Sequence, residues 1–347
     1  MLNNNITGMK KKILLIATGG TIASKYTDRG LSPQISGEEL LHYIPEAKAF
    51  CRIEVQQPFS LDSTNVRWEQ WLILAALIRD HYSEYDGFVI CHGTDTMAYT
   101  AAALSYLVQN SLKPVVITGA QRPIDLPDTD ARMNLLDSLR FAAEPRAHDV
   151  CIVFGGLVIA GTRAKKERTK SYNAFSSINY PPVAVIQDRR IIFYIDDKKN
   201  ISGGVVFSDR LDPGVFLYRL IPGSDGSALD ALIDRYDAVI IESFGVGGIP
   251  DYGDGSFREA IRKWTLAGKI VIMATQVPNE GSDMSVYEVG HAVKNEYDIP
   301  ESYDMTLEAV IAKTMWILGK THDRRAFREL FYASVNHDLL FVPGEGD

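Results

Sequence analysis

A chain of 347 residues is longer than one hydrophobic core ordinarily serves, and 46% hydrophobic with 23% charged residues excludes the disordered, collagen-like and disulfide-scaffold classes. The formal charge of -8 argues against an electrostatic footprint for nucleic acid or an anionic membrane, since both need clustered Lys and Arg to displace counterions. Cys51, Cys91 and Cys151 have no metal-ligand spacing and an odd count, which predicts free thiols in a reducing, cytoplasmic setting.

The chain begins "MLNNNITGMKKKILLIATGG", a lysine trio before an apolar run. That run, Ile13 to Ala17, is shorter than the roughly 7–15 residues of a signal-peptide core, so it is read as a first strand. No window approaches the roughly 20 apolar residues of a membrane helix. Strand-like runs then recur as "GFVICHG", "PVVITGA", "VCIVFGG", "AVIIESF" and "KIVIMAT", each ending in Gly, Thr, Ser or a neighbour of one. Between them Trp68 to His81 and Met97 to Val108 carry apolar residues at helical spacing. Continuous apolar strands alternating with helices predict an α/β fold, with a larger N-terminal domain built on a mainly parallel sheet and a smaller C-terminal α/β domain. The polar stretch "YIDDKKNISGG" marks the division: residues 1–195, a linker over 196–212, and residues 213–347, with a final helix around Met305 to Leu318.

In open sheets ligands bind beyond the carboxyl ends of the strands, which makes the strand-end loops the ones to read. "ILLIATGGTIAS" lacks both the G-x-G-x-x-G and the G-x-x-x-x-G-K-[ST] patterns of phosphate loops. Adjacent glycines make a tight turn, and they also let backbone approach a ligand and expose the next side chain, Thr21. A threonine hydroxyl is a poor nucleophile until a neighbour takes its proton. "CHGTDTMAYTAAALSYL" sets Thr94, Asp95 and Thr96 about a helix start, where the same residue types also serve as caps. His92 ends a buried strand and is read as a structural histidine. The basic knot "TRAKKERTK" reads, by itself, as a solvated loop.

Together "TGGTIAS" and "HGTDTMAYTA" resemble the two signature motifs of the bacterial-type L-asparaginase family, most closely its type I, cytoplasmic branch. "KPVVITGAQRP", "NAFSSINYPP", "SFGVGGIP" and "YDMTLEAVIAKTMWILG" follow in the family's order, so the resemblance covers nearly the whole chain. It implies hydrolysis of L-asparagine to L-aspartate and ammonia through a covalent intermediate on Thr21. The family's second threonine, lysine and aspartate correspond to Thr94, Lys166 and Asp95. Thr94 and Lys166 are expected to relay protons, and Asp95 to orient that relay and bind the substrate ammonium. Ser63, with Asp62 beside it, takes the position that binds the substrate α-carboxylate, and Gly20 and Ala120 are expected at the substrate. Backbone amides of the "GGT" and "GTD" turns are the expected oxyanion donors.

Three positions depart from the family. The lid tyrosine found in many members ten residues after the nucleophile is Leu31 here, so Tyr287, and after it Tyr26, is expected to complete the site. Gly248 stands where relatives commonly carry asparagine. Glu242 and Val277 stand where cooperative type I enzymes use arginine and cysteine to hold an effector, which speaks against an asparagine-driven response. The resemblance implies no metal or organic cofactor, a small-molecule substrate, and a homodimer or homotetramer with no nucleic-acid or membrane partner. Two other functions fit the same frame: the ammonia-releasing subunit of a tRNA-dependent amidotransferase, set back because only about 17 residues precede "TGGT", and a non-catalytic amino-acid-binding module.

Overall fold

The computed structural model describes residues 10–28, 30–253, 255–286 and 288–340. In chain order the N-terminal region forms β1 (Lys11–Ala17), β2 (Ser24–Thr27), β3 (Gly30–Pro33), α1 (Gly37–His42), β4 (Cys51–Gln56), α2 (Trp68–His81), β5 (Gly87–Cys91), α3 (Met97–Leu107), β6 (Val108–Gln109) and β7 (Val115–Thr118). It continues through α4 (Ala131–Ala142), β8 (Val150–Phe154), β9 (Leu157–Ala160), β10 (Ala164–Lys166), β11 (Phe175–Ser177), β12 (Ala184–Gln187) and β13 (Arg190–Phe193). The main sheet has eight strands in the order β13-β12-β9-β8-β7-β5-β1-β4. The five strands from β4 to β8 run parallel, and β9, β12 and β13 close one edge antiparallel.

The apolar run of β1 explains its place. Leu14 and Ile16 point into one buried layer with α2 and α3, while Ile13 and Leu15 point into the opposite layer with α1 and α4. A strand covered on both faces has no position to give to water, which is why the sequence shows a run rather than an alternation. Each such side chain contributes about 1.5–3 kcal/mol on burial.

The second region holds β14 (Val206–Phe207), β15 (Val215–Arg219), α5 (Ser227–Asp230), β16 (Ala238–Ser243), α6 (Ser256–Leu266), β17 (Ile270–Thr275), α7 (Glu288–Tyr297), α8 (Leu307–Leu318) and α9 (Arg324–Tyr332). Strands β15, β16 and β17 form a parallel three-stranded sheet. The expected last helix is therefore α8, and it is followed by α9. The 196–212 segment carries order of its own: β14 pairs antiparallel with β6, and Trp316 Nε1 donates to Ser208 Oγ at 3.1 Å.

One apolar cluster crosses from the first region to the second. It joins Ala101 and Leu104 of α3 to Ala309, Val310 and Ala312 of α8, then to Ile240 and Ile272 of the smaller sheet. Helix α3 is buried on nearly every side because it lies between the main sheet and α8, so it shows little amphipathic periodicity. Beside it Lys313, fully buried, donates to Asp338 Oδ2 at 2.7 Å, and Tyr106 donates to the same oxygen at 2.8 Å. Removing one member of a buried ion pair leaves an uncompensated charge. Lys313→Met is expected to lower stability by about 3–5 kcal/mol, and Lys313→Met with Asp338→Leu by less, as measured by urea unfolding.

Candidate active site

Four loops meet beyond the carboxyl ends of β1, β4, β5 and β7, and glycine is what lets them meet. A Cβ on Gly19 (φ +101°) would lie 2.4 Å from Leu61 O, and one on Gly20 (φ +76°) 2.3 Å from Gly93 N. Both glycines therefore need the absence of a side chain twice, for their backbone angle and for the neighbouring chain. Gly20 N donates to Leu61 O at 2.9 Å and Leu61 N to Thr18 O at 2.9 Å, stitching the first loop to the second. Thr18 Oγ1 donates to Cys91 O at 2.7 Å and Thr118 Oγ1 to Val153 O at 2.8 Å, so the threonines that end these strands tie each strand tip to its neighbour.

Thr21 opens the short turn Thr21–Ala23 directly after the glycine pair. It is half-buried, and its hydroxyl has no hydrogen-bond partner among the described residues. On the loop packed against Gly20, Thr94 is buried, and Lys166 Nζ donates to Thr94 Oγ1 at 2.7 Å and to Asp95 Oδ1 at 2.6 Å. The Lys166 side chain is 15% exposed while that of Asp95 is 58% exposed, so the pair bridges a covered hydroxyl and an open carboxylate. Ser63 is buried in contact with this loop: its Oγ accepts from Asp95 N at 3.3 Å, and its carbonyl accepts from Thr96 Oγ1 at 2.8 Å. Neither Thr96 nor its two predecessors caps α3 through a side chain; Thr96 is the N-cap residue by position, yet its hydroxyl is spent on Ser63.

The remaining candidates fall differently. Asp62 does cap, accepting from Thr64 N and Thr64 Oγ1 at 2.9 Å each, and so shapes the turn that holds Ser63. Ala120 has no exposed surface and packs in the layer with Ile124 and Leu135. Tyr26 is 67% exposed on the β2–β3 hairpin, directly across the ladder from Leu31, and lies near enough to Arg122 to interact electrostatically. Tyr287 lies outside the described residues. Glu242 is buried and paired with Arg219 across the β15–β16 register at 3.2 Å, so the reversed charge at that position is answered within the sheet.

Gln121 escapes the sequence reading, yet it touches the centre. Thr94 Oγ1 donates to Gln121 Oε1 at 3.4 Å, and Gln121 Nε2 donates to Ser171 O at 3.1 Å on the loop that follows Lys166. The buried Asp130 carboxylate fixes its backbone by accepting from Gln121 N and Arg122 N. The available signal is "KPVVITGAQRP", from which the sequence reading takes Ala120 and passes over its neighbour Gln121.

His92 is structural, as its strand position predicts. Its Nδ1 lies 2.7 Å from Gly93 O and its Nε2 3.0 Å from Thr100 Oγ1, which in turn accepts from Trp71 Nε1 at 2.9 Å. That chain makes Nδ1 the donor and Nε2 the acceptor, a neutral imidazole. Burial pushes its pKa from 6.5 down to about 4, with the Gly93 carbonyl opposing. The unfolded chain therefore binds the proton first as pH falls, and folding loses about 3 kcal/mol between pH 6.5 and pH 4 at about 1.4 kcal/mol per unit. Urea midpoints over that window are expected to fall more steeply in the wild type than in His92→Gln, which has no proton to take up.

Fold and site define a two-domain α/β protein that gathers hydroxyl, ammonium and carboxylate groups at the mouth of a parallel sheet. Comparison with known families matches residues 12–199 to the asparaginase N-terminal model and residues 214–331 to the glutaminase/asparaginase C-terminal domain. The chain belongs to the asparaginase family. It is similar to an L-asparaginase of Thermococcus kodakarensis, at 36% identity over 94% of this chain and 99% of that one. It is also similar to one of the subunits of the glutamyl-tRNA(Gln) amidotransferase of Pyrococcus furiosus, at 35% identity over 94% of this chain and 76% of that protein. Among solved structures, the thermostable L-asparaginase of Thermococcus kodakarensis superposes with a TM-score of 0.88 at 34% identity, over 95% of this chain and all of that one. L-asparaginase I of Vibrio cholerae gives 0.85 at 28% identity, over 96% and 100%. No helix among the described residues is long and apolar enough to cross a membrane.

Proposed function

We propose that this chain hydrolyses L-asparagine to L-aspartate and ammonia through a threonine acyl-enzyme. The observation that carries the reading is Lys166 Nζ, held at once by Thr94 Oγ1 at 2.7 Å and Asp95 Oδ1 at 2.6 Å, on a loop packed against the Gly19–Gly20–Thr21 turn. Thr21 Oγ1 attacks the carboxamide carbon and passes its proton towards the Thr94–Lys166 pair. The tetrahedral oxyanion collapses, ammonia leaves with a proton, and water releases aspartate by the same route in reverse. Backbone amides of the two turns stabilise the oxyanion. Asp95 takes the substrate ammonium and Ser63 the α-carboxylate, so both charges of a small zwitterion are answered.

The hairpin register favours Tyr26 as the lid tyrosine. Residues directly opposite on an antiparallel ladder share a face, so Tyr26 presents a phenol on the side where the family's tyrosine position is occupied by Leu31. Buried, unpaired Cys51, Cys91 and Cys151 accord with a reducing, cytoplasmic setting, and we take the chain to assemble as a homodimer or homotetramer.

The test is ammonia release from L-asparagine by the purified chain, with L-glutamine alongside. Turnover of free asparagine without any added protein supports the asparaginase reading. Likeness to the amidotransferase component supplies the second reading, which expects no turnover until a second protein is supplied.

A further inference from the structure

Lys166 stands on a ribbon that is not hydrogen-bonded into the main sheet's ladder. Strands β10 and β11 pair with each other alone, over the three pairs Ala164 with Ser177, Lys165 with Ser176 and Lys166 with Phe175. The ribbon packs on the core through Ala164 and through Phe175, whose ring lies 5.1 Å from that of Phe154 on β8, but no strand ladder fixes where β10 presents its lysine. The other polar side chains of segment 162–165 all turn to the C-terminal region. Thr162 Oγ1 donates to Asn336 O at 2.6 Å, and Lys165 Nζ lies 3.3 Å from Glu308 Oε1 on α8. Within β10 itself, alternation from Lys165 to Lys166 sends Lys166 the other way, to Thr94 and Asp95.

Arg163 makes the strongest of these attachments. It has no exposed surface, and a buried guanidinium persists only where its donors are matched. Nη1 donates to Asp304 O and Nη2 to Asp304 Oδ2, each at 2.7 Å, and Nε donates to His337 O. The guanidinium also lies over the Tyr180 ring, 5.7 Å from its centroid, and Tyr180 stacks on His337. Asp304 is itself held, accepting from Leu340 N through its carboxylate and from Asn179 Nδ2 through its carbonyl. Three residues upstream of Lys166, the chain is thus anchored to a point on the other side of the seam.

We propose that Arg163 and Asp304 are positioning residues for Lys166, so that the proton relay is complete only when the C-terminal region is seated. The inference rests on the relay role given to Lys166 above. Catalytic groups displaced by about 1 Å can lose roughly a hundredfold in rate, and β10 has no main-sheet ladder to resist such a shift.

The experiment is a double-mutant cycle, with kcat and KM for L-asparagine and the unfolding temperature measured for Asp304→Asn, Lys166→Met and both together. Asp304→Asn keeps the carbonyl contact to Nη1 but loses the charge. It is expected to lower kcat per folded molecule by roughly ten- to a hundredfold with KM within about twofold. In the Lys166→Met background it is expected to cost nothing further in rate, because the group it positions is gone, while its effect on unfolding temperature persists. An unchanged kcat in Asp304→Asn, or the same loss with and without Lys166, overturns the proposal. If Asp304→Asn does not fold, Arg163→Lys, which keeps the charge and loses the fork, takes its place in the same cycle. A wild type without turnover removes the proposed function itself, Lys166→Met with full turnover removes only the relay role given to Lys166, and either result removes this inference with it.

Discussion

Thr21→Val is expected to reduce ammonia release from L-asparagine by roughly 10^4- to 10^6-fold while leaving the protein folded. Valine matches the β-branched shape of threonine and deletes only the hydroxyl. That hydroxyl has no hydrogen-bond partner among the described residues, so its loss strands no buried donor or acceptor, and the stability cost is small. The turn itself depends on Gly19 and Gly20 and on the contacts of Gly20 with Leu61, none of which involves the Thr21 side chain. Whatever rate remains reflects substrate binding and oxyanion stabilisation without a nucleophile. The measurement is a coupled ammonia assay beside a urea midpoint. A folded valine variant with near-normal turnover would place the nucleophile elsewhere.

Lys166→Met is expected to lower kcat by about 10^2- to 10^4-fold with a urea midpoint near that of the wild type. Methionine preserves most of the aliphatic stem and removes the ammonium. Asp95, left without its partner, is 58% exposed and stays solvated, so the substitution does not bury an uncompensated charge. This is the opposite situation from Lys313, whose partner Asp338 is fully enclosed. The two lysines separate the two kinds of loss: Lys166→Met costs rate and little stability, Lys313→Met the reverse. Steady-state kinetics and denaturation on both variants check the contrast.

Much of this site was legible because its chemistry sits where strands end. The apolar bursts that finish at Thr18, Cys91 and Thr118 announce parallel strands, and "TGGT" and "GTDT" follow two of them immediately. Thr94, Asp95 and Lys166, which the motifs single out, lie together, with Lys166 within hydrogen-bond reach of the other two. Contacts without a local signal were not legible. Gln121 reaches Thr94 from another loop, and Arg163 meets Asp304 across 141 positions, so neither contact can be read from the stretches that contain these residues. The same holds for the 196–212 segment, whose polar composition reads as linker although β14 finds a partner in β6. The extra helix α9 was missed for another reason. "RRAFRELFY" is short and rich in charge, and only Phe327 and Phe331 are buried, forming one narrow stripe.

The seam between the two regions also bears on how the molecule is made. A chain leaves the ribosome N-terminus first, and domains tend to fold in that order. Thr21, Thr94 and Lys166 therefore emerge well before Asp304 and His337, which hold Arg163, and before Asp338, which Tyr106 meets across 232 positions. Until those last residues are released, Arg163 and Tyr106 lack the partners that satisfy them in the finished core. A nascent chain that has already paired β1 with β4 and β5 still holds an unsatisfied guanidinium beside its lysine, and premature termination near residue 300 would yield a sheet with a loose ribbon rather than a smaller working enzyme.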